Sequence, residues 1–324
     1  MSGALPVRIA HCAYALPERI ESNEELARQN PAWNFDDIVP KTGVRSRHVA
    51  GPATCASDLA HDAAAKLFRE GDVDPADVDT LLYCTQSPDY FLPTTACLLQ
   101  NRLGLPITSK AFDFNLGCSG FIYGLATAGA YIASGIARKV LLLCADTYTR
   151  YIRPDDRTAR TVFGDGAAAV LLEPASNGES IGPFVFGTDG RGYDKIIVRG
   201  GGMRHAAEPA TLSLHGPAVF MFTKERIPAC VRELLQKGEC EMSAVDLFVF
   251  HQASKLVLDE LQRTLEIPPG KVVRNYELIG NTVSASIPIA LCDAFAAGTA
   301  ARGQRVAFVG FGVGLSWGAC LARL

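Results

Sequence analysis

The stretch VDTLLYCTQS, residues 78–87, returns as VDLFVFHQAS, residues 245–254, at an offset of 245 − 78 = 167 residues. Each copy follows an amphipathic segment, ASDLAHDAAAKLFREGDVD in one case and ACVRELLQKGECEMSAVD in the other. A short apolar run bounded by polar turn residues is the pattern of a strand buried on both faces. The echo continues past the strand. AFDFNLGCSGFIYGLATAGAYIASG is answered by NYELIGNTVSASIPIALCDAFAAG, each a glycine-containing turn leading into an alanine-rich helix, and ARKVLLLCAD is answered by GQRVAFVGFG. In this register Gly117-Cys118 corresponds to Gly280-Asn281, an offset of 281 − 118 = 163. The pattern predicts an α/β chain of two similar halves, residues 1–174 and 175–324, related by an approximate twofold, with the seam at PASNG, residues 174–178. Chance likeness between two generic βα units is the alternative.

A chain of 324 residues is long enough for two cores of ordinary size. Its net charge of −3, with no cluster of Lys and Arg, supplies no phosphate-binding face, so nucleic acid is not an expected partner. No uninterrupted apolar run approaches the roughly 18 residues of a membrane span, so a membrane is not expected either. Ten cysteines include no C-x-x-C pair and no Cys/His ligand spacing, and no metal is expected. The opening MSGALPVRIAHCAYALPERI lacks a basic start followed by a long apolar run. That points to a reducing cytoplasm, where most of the thiols act as small core residues.

One thiol stands apart. In NLGCSGF, residues 115–121, Cys118 lies between Gly117 and Gly120, just ahead of a helix whose first N–H groups would face the sulfur. A helix terminus contributes about 0.3–2 kcal/mol to a nearby charge, so an appreciable thiolate fraction near neutral pH is expected. A buried core thiol is the alternative. In the second half His251 ends the apolar run VFH, and Asn281 follows Gly280 in IGNTVSAS. Alone, each also suits a structural histidine or a turn asparagine. The duplication places all three at corresponding strand or turn ends, where ligands of open α/β sheets bind.

Together, FNLGCSGFIYGL, VFHQAS, IGNTVSASIPIAL, FGDGAAAVLLE and the terminal GFGVGLSWGACLARL resemble β-ketoacyl-acyl-carrier-protein synthase III of the thiolase superfamily, in the right order over nearly the whole chain. The resemblance implies a duplicated thiolase-like fold of five αβαβα layers, a homodimer and no cofactor. It also implies decarboxylative condensation of an acyl primer, carried on coenzyme A or a carrier protein, with malonyl-acyl-carrier protein. By the same resemblance Cys118 is the acylated nucleophile, while His251 and Asn281 engage the malonyl thioester and hold the enolate oxygen left by carbon dioxide. A thiolate attacks thioesters readily and leaves as readily, and two N–H donors suit an enolate. The backbone N–H groups of Cys118 and Val313 are implied as an oxyanion hole, with Val313 standing where the family commonly has Gly. Lys41 and Arg157 match basic residues near the nucleotide, and Phe220 and Ser254 fall at substrate-contact positions. Leu92 stands where the family has a bulky residue that limits acyl length, which points to a longer or branched primer.

Some positions depart from the family pattern. The adenine-stacking Trp is replaced by Asp37, with Trp33 four residues earlier, and basic residues that dock the carrier protein are replaced by Met221 and Leu256. Lys224, Arg226 and Lys255 lie close enough in sequence to substitute, because steering depends on summed charge. Gly310, Gly312 and Gly314 lack the following helix and acidic partner of a dinucleotide loop, and Asp165 in FGDG is expected to serve a structural turn. Three other functions compete: acyl transfer from Cys118 to an alcohol or amine without decarboxylation, a papain-like Cys-His-Asn peptidase, and a non-catalytic ketosynthase partner subunit. The joint presence of Cys118, His251 and Asn281 favours the condensing enzyme.

Overall fold

Apolar runs of strand length need cover on both faces, and the chain meets that need twice. In a computed structural model describing residues 3–324, nine strands form two large sheets. They are β1 (Val7–Ala15), β2 (Thr80–Cys84), β3 (Lys110–Phe114), β4 (Val140–Asp146) and β5 (Gly166–Pro174) in one, and β6 (Ser180–Thr188), β7 (Leu247–Phe250), β8 (Arg305–Gly312) and β9 (Ser316–Arg323) in the other. The first sheet has the order β1-β5-β4-β2-β3, with β2 parallel to β3 and β4, and β5 antiparallel to β1 and β4. The second has the order β6-β9-β8-β7, with β7 parallel to β8, and β9 antiparallel to β8 and β6. Strand for strand the two orders match. The counterpart of β3 shrinks to one parallel bridge between Val272 and Phe248, because Pro268 and Pro269 lie just upstream and proline supplies no ladder donor.

Six helices cover these sheets: α1 (Ala56–Gly71), α2 (Thr95–Arg102), α3 (Gly120–Ala133), α4 (Gly216–Lys237), α5 (Lys255–Thr264) and α6 (Ser286–Ala296). Alternate residues of β2 serve opposite faces. Leu81 and Tyr83 pack with Leu59 and Leu67 of α1 and Leu99 of α2, whereas Leu82 and Cys84 pack with Phe121 and Leu125 of α3. In the second sheet Phe248 and Phe250 pack against Val231 and Leu234 of α4 and Leu258 of α5. Its other face, with Val249 and Phe308, joins α3 and α6. The layers therefore run α1/α2, first sheet, α3/α6, second sheet, α4/α5, which is the five-layer αβαβα arrangement of the thiolase-like fold.

Helix composition follows this position. A helix between two sheets has no wet side. Accordingly α3 contains no charged residue, and α6 has one, Asp293, bonded to the Tyr14 hydroxyl (2.9 Å) and the Asn275 amide (3.0 Å). The outer α1 keeps a polar face with Asp62, Arg69 and Glu70. Among the described residues no helix is long and apolar enough to cross a membrane.

Candidate active site

Cys118 sits in the turn between β3 and α3, only 6% exposed. The glycines around it are there for contact. A Cβ on Gly120 would lie 2.2 Å from the Cys84 sulfur, and one on Gly117 would lie 2.6 Å from Gln86 Oε1. The end of β8 closes over the other side: a Cβ on Gly310 would meet the Cys118 carbonyl at 2.7 Å, and one on Gly312 the Cys118 sulfur at 2.9 Å. Beyond Gly312, Gly314 adopts φ 122°, a conformation that Val would resist, so the unusual backbone falls beside Val313 and not on it. The backbone N–H groups of Val313 and of Cys118 itself both reach the sulfur.

The sequence reading of a depressed thiol is corrected here. Burial pushes the Cys118 thiol up to about 12, the Asp146 carboxylate pushes it in the same direction, and the two backbone N–H groups offset only part of this. A helix terminus contributes at most about 2 kcal/mol, whereas removing a charge from water costs several. The free thiol is therefore stored neutral.

His251 follows β7 and is 2% exposed. Its backbone N–H donates to the Val309 carbonyl of β8 (2.8 Å), and its ring meets Phe311 edge-on at 5.6 Å. Burial lowers the imidazole to about 3, so the ring is neutral at any ordinary pH. Asn281 is held by its backbone: its N–H donates to Val162 (2.9 Å) and its carbonyl accepts from Gly164 (3.0 Å). Its Oδ1 accepts the Val283 N–H (2.9 Å), which turns Nδ2 toward His251 Nε2 at 3.3 Å. The turn is strained, because Val283, a buried β-branched residue, is forced to φ 54°. Val283 packs in the same cluster as Cys118. The three residues are thus assembled around the end of β8, one from the first half and two from the second.

Asp146 was not singled out in the sequence, although an acid closing the apolar run LLLCAD is a signal. It is fully buried at the end of β4 and accepts from the Gln86 N–H (2.7 Å), the Ser284 hydroxyl (2.8 Å) and the Ser87 hydroxyl (3.3 Å). Burial raises it to about 7 against the pull of those donors. It ties the first half to the Asn281 turn through Ser284. Asp165 is occupied by the Thr149 N–H (3.0 Å), the Thr149 hydroxyl (2.5 Å) and the Ala50 N–H (2.8 Å), a structural set of partners.

A cavity of about 1050 Å³ opens beside the site, with Gln86, Tyr90, Phe91, Leu92, Tyr148 and Val313 in its walls. Tyr148 and Val313 also pack with Cys118, so two of the cavity's lining side chains lie between it and that residue's cluster. Leu92 stands at the rim, 82% exposed. The remaining residues lie apart from this cluster. Lys41 and Arg157 are exposed on the short helices Phe35–Thr42 and Arg157–Arg160, and Phe220 is half-buried on α4. Ser254 caps α5, its hydroxyl accepting the Val257 N–H (3.4 Å). Asp37 is exposed, and Trp33 packs on Phe35. Each proposed substitute for carrier docking is paired with an acid: Lys224 with Glu260 (3.1 Å), Arg226 with Glu225 (3.4 Å) and Lys255 with Asp259.

Comparison with known proteins adds ancestry to this geometry. The family models for 3-oxoacyl-[acyl-carrier-protein] synthase III match residues 112–190, and those for its C-terminal part match residues 235–324. A curated β-ketoacyl-[acyl-carrier-protein] synthase III 3 of Streptomyces coelicolor is 39% identical over 94% of this chain and 93% of its own length. A crystal structure of a 3-oxoacyl-(acyl-carrier-protein) synthase III superposes with a TM-score of 0.96 at 43% identity, covering 98% of this chain and 100% of that one. The priming β-ketosynthase of the R1128 polyketide pathway superposes with a TM-score of 0.92 at 28% identity, covering 100% of this chain and 98% of that one.

Proposed function

The chain belongs to the 3-oxoacyl-[acyl-carrier-protein] synthase III family, and from that premise we propose that Cys118, His251 and Asn281 carry out a decarboxylative condensation of an acyl thioester primer with malonyl-acyl-carrier protein. The observation that supports these roles most directly is the pair of donors. Asn281 Oδ1 is held by the Val283 N–H and His251 Nδ1 is held by Ser286, so Nδ2 and Nε2 stand 3.3 Å apart at one point, with no other partner among the described residues. An oxygen bearing developing charge fits there.

Cys118 attacks the primer thioester, the carrier thiol departs, and the proton lost by Cys118 ends on that thiol. The N–H groups of Cys118 and Val313 hold the tetrahedral oxyanion. The attacking form is the thiolate, so the neutral Cys118 thiol gives up its proton as it attacks. The malonyl thioester then loses carbon dioxide. The electron pair of the broken C–C bond becomes an enolate, whose oxygen His251 and Asn281 stabilise while its carbon attacks the acyl-Cys118 carbonyl. Collapse expels the Cys118 sulfur, which takes up a proton and leaves a 3-oxoacyl-carrier protein.

A papain-like reading does not suit this arrangement. There the asparagine accepts a hydrogen bond from the imidazole and the histidine addresses the sulfur, whereas here Asn281 Oδ1 is taken by Val283 and the other histidine nitrogen meets Ser286.

The halves 1–174 and 175–324 are the corresponding units of this proposal, one bringing the nucleophile and the other the donor pair. A homodimer is part of it. Strand β3 is an edge whose residues are all half-buried, and Phe91 and Leu92 at the cavity rim are more than four-fifths exposed, at 85% and 82%. The open rim at Leu92 supports a longer or branched primer, and ten unpaired cysteines suit a reducing cytoplasm. The test is to offer a panel of acyl-CoA and acyl-carrier thioesters, find by intact mass which one modifies Cys118, and then add malonyl-carrier protein. Acyl-Cys118 followed by a 3-oxo product is expected. Labelling elsewhere, or an acyl-enzyme that malonyl-carrier protein does not discharge, would overturn the assignment.

A further inference from the structure

Ser286 opens α6 and is 1% exposed. Its hydroxyl oxygen lies 2.7 Å from His251 Nδ1 and accepts, at 3.4 Å, the N–H of Gln252. Among the described residues it has no other partner. A hydroxyl has one proton to give, and among the described residues the only acceptor within reach of this one is Nδ1. If the neutral ring carried its proton on Nδ1, the serine proton would be buried without an acceptor. The stable arrangement is the reverse, with Ser286 donating to Nδ1 and the ring proton on Nε2.

This matters because of what Nε2 faces. Asn281 Nδ2 is 3.3 Å away and can only donate, since its Oδ1 is fixed on the Val283 N–H. With the proton on Nε2, two donors converge on one point and suit an acceptor. With the proton on Nδ1, Nε2 accepts from Asn281 and the pair closes on itself. We propose that Ser286 is a positioning residue that holds His251 in the Nε2–H tautomer and so keeps the His251–Asn281 pair open for an oxyanion. The inference rests on the proposed role of that pair, to which it adds the group that orients it.

The test begins with the unaltered protein. In a ¹⁵N-histidine-labelled sample the His251 resonances, assigned by their loss in His251→Gln, are expected to show a protonated Nε2 and a bare Nδ1. A proton on Nδ1 would overturn the proposal without any variant at Ser286. In Ser286→Ala the ring is expected to shift toward the other tautomer, and kcat for malonyl decarboxylation to fall about 10–100-fold, by analogy with the groups that orient metal-ligating histidines, with KM for the malonyl thioester little changed. Ser286→Thr keeps the hydroxyl and is expected to recover both signals. If Ser286→Ala is folded and decarboxylates at the original rate while His251→Gln does not, this inference fails and the site assignment stands. If His251→Gln also decarboxylates normally, the site assignment itself fails.

Discussion

The turn around Cys118 and the turn around Asn281 occupy corresponding places in the two halves, yet they are built in opposite ways. The first is glycine-rich, and among the described residues it gives the Cys118 side chain no polar side-chain partner, only the backbone N–H groups of Cys118 and Val313. The second is polar and strained, and it fixes one atom of each donor: Asn281 through Val283, with Val283 at φ 54°, and His251 through Ser286. In the proposed reaction the sulfur bonds, carries and releases an acyl group, and an unencumbered side chain leaves room for that group. A group that stabilises charge is served by donors whose orientation is settled before the charge appears. One duplicated scaffold provides both because its central helices, α3 and α6, begin at the same layer.

This contrast gives graded expectations. Cys118→Ala removes the only bond-forming group and is expected to lower condensation by at least about 10³-fold, while malonyl decarboxylation, measured as carbon dioxide release, persists. Loss of decarboxylation together with condensation would show that the halves do not divide the chemistry. Asn281→Ala should cut condensation by about 10²–10³-fold and leave acylation of Cys118, followed by intact mass, at its former rate. A matching loss of acylation would assign Asn281 to the first step.

A smaller effect is expected from Asp146→Asn. Asp146 is raised to about 7, so its carboxylate is charged at pH 8 and opposes ionisation of Cys118. Removing that charge should speed alkylation of Cys118 at pH 8 by up to about tenfold, and an unchanged rate would mean that burial alone sets the thiol. The smallest expected signal is an absence. With its imidazole lowered to about 3, His251 should not titrate between pH 5 and 8 in the folded protein. As pH falls through 6.5, the ordinary value, the unfolded chain gains a proton that the folded one refuses, so this residue lowers stability in acid. Ring resonances that move near 6.5 would contradict the neutral donor pair.

Much of this was legible before any coordinates. VDTLLYCTQS and VDLFVFHQAS do become matching buried strands, because an apolar run covered on both faces needs no alternation. Ser286 and Asp146 were not legible as site residues. A serine in VSAS or an acid after LLLC takes its meaning from partners 35 and 138 residues away, His251 and Ser284.

What the sequence determined by itself is the duplication and the order of its strands and helices, since periodicity encodes these directly, and it nominated the sulfur, the imidazole and the amide that the proposed mechanism uses. The tertiary structure alone decided their state. Whether a thiol is charged, and which imidazole nitrogen holds the proton, depends on burial and on donors brought in from the other half of the chain, and neither is a property of a neighbouring residue in the sequence.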